Sequence, residues 1–227
     1  MNNTAILIPA RYGSTRFPGK PLVALDNIPM IRRVYERCRK TGLDVYVLTD
    51  DRRIADKFEP HQVIIDLEDY DNGTERCAGA VAMRTLDEYD QFINVQGDMP
   101  DVTVEIINTC ISGLINYEVS TVYTQMAEEL QNDPNSVKLV RAVDNALWFG
   151  RGMTGYGDWH LGVYGYRKNA LQAYPKLKIT KEERVEKLEQ LRWLKSGWQI
   201  GCMSVYFNGV EINTPEDVSI WQQKNLR

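Results

Sequence analysis

Histidine is nearly absent from this chain. His61 and His160 are the only two in 227 residues, which excludes a multi-histidine metal centre. Cysteine is sparse as well. Cys38, Cys77, Cys110 and Cys202 are scattered without a CxxC pair, so neither a disulfide frame nor a zinc site is expected. They read as buried thiols of a reducing cytoplasm. There is no basic excess: 27 Lys and Arg face 31 Asp and Glu, a net charge of -4. That balance argues against general nucleic-acid binding, which needs a basic face. No apolar run approaches the roughly 20 residues that span a bilayer, so no membrane partner is expected. The opening MNNTAILIPARYG has no basic segment before a long apolar core, and so does not read as a signal peptide.

What is present is ordinary globular material, 43% hydrophobic and 26% charged, enough for one full core. Strand-like and helix-like segments alternate. Ala5–Pro9 reads as a buried strand, and Pro29 opens a helix with Met30, Ile31, Val34, Tyr35 and Cys38 on one stripe. Further strands are expected at 45–48, 63–65 and 92–95, with helices at 73–86 and about 102–115. This order predicts an α/β fold with a mostly parallel central sheet and helices on both faces. After about residue 117 short strands follow at 120–123, 137–140, 146–149 and 161–166. The four-glycine segment GRGMTGYGD, from Gly150 to Asp158, reads as a loop. Thr180–Lys195 is expected to be one helix, with Thr180 and Glu183 as a capping box and Gly197 as its stop. Thr214 and Pro215 start the last helix. No repeat or linker divides the chain, so residues 1–227 are expected to form one domain.

The chemistry concentrates in Arg11–Pro21, which reads RYGSTRFPGKP. It holds Arg11, Arg16 and Lys20, no acid, and the glycines Gly13 and Gly19. A cationic, glycine-containing loop after a strand suits a polyphosphate, because its backbone N–H groups can approach the ligand. It is not a P-loop. Five residues separate Gly13 from Gly19, and Lys20 is followed by Pro21 instead of Ser or Thr. Gln96-Gly97-Asp98 after the fourth strand offers a carboxylate, the hard oxygen ligand Mg²⁺ prefers. Cations and a metal-binding acid together are what nucleotidyl transfer needs, because charge builds on the pyrophosphate leaving group.

These residues resemble the 3-deoxy-manno-octulosonate cytidylyltransferase (CMP-Kdo synthetase) family. The likeness recurs in order at Thr49-Asp50, Gly73-Thr74-Glu75-Arg76, Asn94–Asp98, Val137-Lys138, His160–Tyr166, Glu186–Arg192 and Thr214–Asp217. It implies a nucleotide-diphospho-sugar transferase fold. It also implies transfer of CMP from CTP to an acidic 3-deoxy sugar, Kdo or Kdo-like, with release of pyrophosphate. By position it places Ala10, Arg11, Ser14, Arg16, Lys20, Thr49, Gly73, Thr74 and Arg76 at the nucleotide. Gln96, Arg151, His160, Tyr164, Glu189 and Gln190 fall at the sugar, within a subregion at about 117–200. Asp98 and Asn213 fall at Mg²⁺, and Arg11, Lys20 and Asp98 carry the catalysis. Read without the resemblance, Arg76 is a surface charge as readily as a ligand, and His160 a core histidine. Glu189 either pairs with Arg192 or Lys187 or faces a cleft.

Three departures from the family pattern stand out. Asn213 occupies a position that usually carries Asp, which removes one charge from the metal site and leaves Asp217 or Glu211 to compensate, or Asp98 and the CTP oxygens to do most of the work. Met99 and Asp71-Asn72 differ at the rim of the site. The resemblance also implies a homodimer, and the stretch between Arg151 and His160 is short where the family places sugar and dimer contacts, so the departure bears on both the sugar and the oligomeric state. The alternatives are a different acidic sugar (8-amino-Kdo or a nonulosonate) and a weakened nucleotide- or sugar-binding protein.

Overall fold

The computed structural model describes residues 3–13 and 17–225. β1 (Thr4–Pro9) is buried at every position, as a parallel strand covered on both faces must be. A 3₁₀ turn at Lys20–Leu22 and a hairpin of β2 (Ala24–Leu25) and β3 (Ile28–Pro29) lead into α1 (Met30–Arg39). That helix buries the expected stripe of Met30, Ile31, Val34, Tyr35 and Cys38. β4 (Asp44–Thr49), the short α2 (Arg52–Ala55) and β5 (Val63–Ile65) follow. Next come α3 (Gly73–Ala82), β6 (Gln91–Val95), α4 (Val104–Gly113) and β7 (Val119–Thr124). Asn72 caps α3 by accepting from the Glu75 N–H, and Thr103 caps α4 by accepting from that of Ile106.

The second half adds β8 (Lys138–Ala142), β9 (Asn145–Gly150) and the long β10 (Asp158–Arg167). It closes with α5 (Lys168–Ala173), α6 (Lys181–Glu186), α7 (Gln190–Lys195), β11 (Ile200–Ser204) and α8 (Pro215–Asn225). Nine strands form one sheet in the order β5-β4-β1-β6-β10-β7-β11-β9-β8. The fold is α/β, and pairing is parallel from β5 through β6. β10 runs antiparallel to both β6 and β7, which makes the whole sheet mixed.

Alternate residues of the central strands feed two cores. Ala5, Leu7 and Phe92 pack with Cys77, Val81, Leu171, Leu191 and Trp193 from α3, α5 and α7. Ile6, Ile8, Ile93 and Val95 pack on the other face with Ile31 and Val34 of α1 and Ile106 and Ile107 of α4. A small third cluster joins Leu25, Met30, Ile212 and Trp221, tying α8 and the segment before it to the β2–β3 hairpin.

Two expectations change. The helix expected over Thr180–Lys195 is broken at Lys187, which takes a left-handed conformation with φ 55°. The capping box is half made: Thr180 Oγ1 accepts from the Glu183 N–H at 3.2 Å, but the Glu183 carboxylate turns to Arg192. The structure also adds α5, β11 and the small hairpin, which the spacing does not announce. Among the described residues no helix is long and apolar enough to cross a membrane.

Candidate active site

The order β4-β1-β6 sends successive connections from β1 to opposite sides, so the carboxyl ends of β1 and β6 mark the switch point of the sheet. Ligands of open α/β sheets sit there. Parallel pairing of Thr4–Leu7 with Gln91–Asn94 sets the cationic loop after Pro9 beside Gln96-Gly97-Asp98. The two loops meet in an ion pair, Lys20 Nζ to Asp98 Oδ2 at 2.6 Å. Arg11 is exposed at the same edge. Ser14 and Arg16 lie outside the described residues.

The cleft has two lobes that share Arg11, Lys20, Asn72, Gly73, Gln96 and Asp98. The smaller, about 230 Å³, is also lined by Ala10, Pro21, Met30, Tyr70 and Arg76. Arg76 is buried there and is no solvated surface charge. Its guanidinium donates to Asp50 Oδ2 at 2.7 Å and the Asp66 carbonyl at 3.2 Å, and lies over the Tyr70 ring. The larger lobe, about 890 Å³, brings together Arg151, His160, Tyr164, Glu189, Gln190, Glu211 and Asn213.

Glu189 faces this lobe because the chain breaks at Lys187 and restarts as α7. One carboxylate oxygen accepts from the Thr74 N–H at 3.0 Å, and the other from Gln96 Nε2 at 3.4 Å. Burial pushes its carboxyl up to about 7, against the opposing pull of its hydrogen bonds from Thr74. Arg192, the sequence-level partner, instead grips Glu183 and Glu75 at 2.6 and 2.7 Å. Gln190 is 2% exposed, and its Nε2 has no partner among the described residues. Such a donor at a cleft wall is an incentive to bind an acceptor. Gln96 keeps its place because its neighbour is glycine: a Cβ on Gly162 would stand 2.9 Å from the Gln96 Cγ.

His160 is buried, and burial followed by the charge of Arg151 pushes it down to about 3, so the ring is neutral. The Thr121 hydroxyl donates to the Val163 carbonyl at 2.8 Å, so at 2.9 Å it accepts from His160 Nε2. This fixes the proton on Nε2 and leaves Nδ1 as an acceptor. The glycine-rich loop is fastened through Glu186, which accepts from the Arg151 and Gly152 N–H groups at 2.7 and 3.4 Å. Lys138 is fully buried and donates to the Arg151 carbonyl at 3.2 Å and to that of Asp133.

At the mouth, the Ile212 N–H donates to the Asp98 carbonyl at 3.0 Å. This contact carries Glu211 and Asn213 into the cleft on either side of Ile212. Burial, and then the Asp98 charge, push the Glu211 carboxyl up to about 8. Asp217 is committed elsewhere: its Oδ2 accepts from the N–H groups of Asn213 and Thr214, each at 2.8 Å. Carboxylate and amide oxygens beside a cation-lined loop are a hard donor set that fits Mg²⁺. Among the described residues no group of three His, Cys, Asp or Glu forms a self-sufficient metal cage. The set therefore suits an ion that brings some of its oxygens with the substrate.

Two expected site residues do not line either lobe. Thr49 is fully buried, and its hydroxyl accepts from the Asp51 N–H at 3.2 Å. Thr74 lies beneath the cleft, where its hydroxyl bonds Tyr166 at 2.9 Å while its N–H holds Glu189. Met99 is buried in the core beside Gly162. The sequence reading missed the roles of Glu75, Glu183 and Lys138. Each is an unremarkable charge in the sequence, and only the buried partners reveal it.

A family model described as Cytidylyltransferase matches residues 5–200. The chain is 39% identical over 98% of both chains to the 8-amino-3,8-dideoxy-manno-octulosonate cytidylyltransferase of Shewanella halifaxensis (strain HAW-EB4). It is 41% identical over 94% of both chains to the protein of that name from Shewanella frigidimarina (strain NCIMB 400). Among solved structures, it matches a CMP:2-keto-3-deoxy-manno-octonic acid synthetase complexed with CTP at a TM-score of 0.90. Identity there is 31%, with 99% of this chain and 98% of that one covered.

Proposed function

The chain belongs to the cytidylyltransferase family, and on that premise we propose that it transfers CMP from CTP to an acidic 3-deoxy-octulosonate. An 8-amino sugar is the favoured acceptor, since the relatives at 39% and 41% identity carry that activity in their names. The observation that carries the reading is the meeting of Lys20 and Asp98 at the switch point, between a smaller lobe and a larger polar one.

Arg11 and Lys20 offset triphosphate charge from the β1 side. Gly73 lets the nucleotide approach the start of α3, and Arg76, locked by Asp50, gives the smaller lobe a fixed wall. In the larger lobe Arg151 supplies the cation for a sugar carboxylate. Gln190 Nε2 donates to a sugar oxygen, while Glu189 and His160 Nδ1 accept from hydroxyls. Binding acceptor and CTP in adjoining lobes converts an encounter of two solutes into a positioned attack of the anomeric hydroxyl on the α-phosphorus. Asp98 and Asn213 would hold Mg²⁺, whose chemistry when bound is to neutralise charge on the phosphoryl oxygens and the leaving pyrophosphate.

Pyrophosphate release from CTP tests the reading, with Kdo, 8-amino-Kdo and a nonulosonate as acceptors and with Mg²⁺ present or chelated. Release with an octulosonate, lost on chelation, is expected. No release with any of these acceptors would overturn the proposal.

A further inference from the structure

Asn213 poses a problem of charge. If the proposed reaction holds, Mg²⁺ at Asp98 faces a neutral amide and the Lys20 ammonium, which already pairs with Asp98 at 2.6 Å. One carboxylate shared with a lysine is a poor anchor for a divalent ion, since affinity follows the charge of the ligand set.

The segment before α8 contains a remedy. The side chain of Ile212 is fully buried with Leu25, Met30 and Trp221, and its N–H is tied to the Asp98 carbonyl at 3.0 Å. Its neighbours on either side, Glu211 and Asn213, line the cleft together with Asp98 and Lys20. Three other acids of the site are engaged, and Asp71 lies on the opposite rim, next to the start of α3. Asp217 binds the start of α8, Asp50 pairs with Arg76, and Glu189 is held by Thr74 on the sugar side.

We propose that Glu211 is the second anionic ligand of the divalent cation. In this chain the negative charge has moved two positions upstream, while Asn213 contributes at most a neutral oxygen. This rests on the proposed cytidylyl transfer. Buried Ile212 is the pivot: it fixes the backbone against Asp98, so an acid on either side of it can reach the same space. Asp98 and Glu211 together then match the charge of the ion even while Lys20 remains close, and Lys20 is released to the phosphates when CTP binds.

The test is the affinity of Mg²⁺ for the enzyme–CTP complex without acceptor, by calorimetry, with Mn²⁺ electron paramagnetic resonance as a second readout. Glu211→Gln is expected to weaken it by roughly tenfold or more, with metal-free CTP binding little changed and the protein no less stable to heat. Asn213→Asp added to Glu211→Gln is expected to restore the affinity. Unchanged Mg²⁺ affinity in a folded Glu211→Gln protein would overturn the inference. So would unchanged metal affinity with selective loss of an amino-sugar acceptor, which would put Glu211 in the sugar site. If Glu211→Gln does not fold, Glu211→Asp provides the comparison: a shifted Mn²⁺ spectrum supports ligation and an unchanged one overturns it. Failure of the wild type to bind Mg²⁺ with CTP would instead sink the cytidylyltransferase reading itself.

Discussion

Glu189 carries a carboxyl group that burial holds at about 7 instead of its ordinary 4.5. The unfolded chain gives up this proton near 4.5, and the folded protein keeps it to about 7. Between those values the folded state binds more protons, so stability falls as pH rises through the window. Glu189→Gln removes the titration and keeps an oxygen for the Thr74 N–H. Thermal melts of the substrate-free protein are expected to show the variant gaining on wild type from pH 5 to 8, by about 1–3 kcal/mol. Equal slopes for the two proteins would contradict that. Asp98 invites a different test. Asp98→Asn leaves a neutral oxygen beside Lys20, so CTP should still bind while pyrophosphate release drops by roughly 10²–10³-fold, the scale on which preorganised charge stabilisation acts. Retained turnover would move the metal site elsewhere.

The break between α6 and α7 decides which way Glu189 points. A continuous helix would keep it on the partly apolar stripe with Val185 and Trp193. The left-handed Lys187 restarts the chain, and Arg192 then locks the two pieces, binding Glu183 within this unit and Glu75 on α3. Arg192 is 1% exposed. Arg192→Met leaves two acids without their cation and is expected to cost about 3–5 kcal/mol in denaturant titration. At temperatures where the variant is folded, the KM for acceptor should rise more than that for CTP, because α7 carries Gln190. This junction also marks how far the sequence could be read. The stripe of α1 and the buried β1 follow from local spacing and stand in the structure, where Arg11 and Lys20 of the cationic loop line the cleft. The order of motifs brought Gln96, Asp98, His160 and Glu189 to one cleft. A single left-handed residue left no periodic signal, because Lys187 sits inside a pattern helical on both sides. Arg76 read locally as a solvated charge as readily as a ligand, because its partners, Asp50 and the Asp66 carbonyl, belong to other elements. Thr49 was misplaced for the converse reason: a residue at a strand's carboxyl end can point into the core as well as into the cleft.

On the scale of the whole molecule, one sheet runs beneath both lobes. β6, which delivers Gln96 and Asp98, is hydrogen-bonded to β10, which delivers His160 and Tyr164. The two strands also share cores: Phe92 and Tyr166 lie in one cluster, Ile93 and Val163 in the other. A nucleotide half that unfolded alone would strip β10 of its pairing with β6 and expose both clusters, so neither half has an independent core to fall back on. The chain should therefore melt in one transition reported alike by far-ultraviolet circular dichroism and by tryptophan fluorescence, to which Trp193 and Trp198 of the sugar half contribute. On the proposed reading CTP with Mg²⁺ would occupy mainly the other side of the cleft, yet it should shift both signals equally. At a hundredfold excess over its dissociation constant, a ligand adds about 2.7 kcal/mol. For a protein of this size that is roughly 5–10 °C in melting temperature. Two separated transitions, with only one moved by CTP, would mean that the β6–β10 seam is a boundary between domains and not the backbone of a single site.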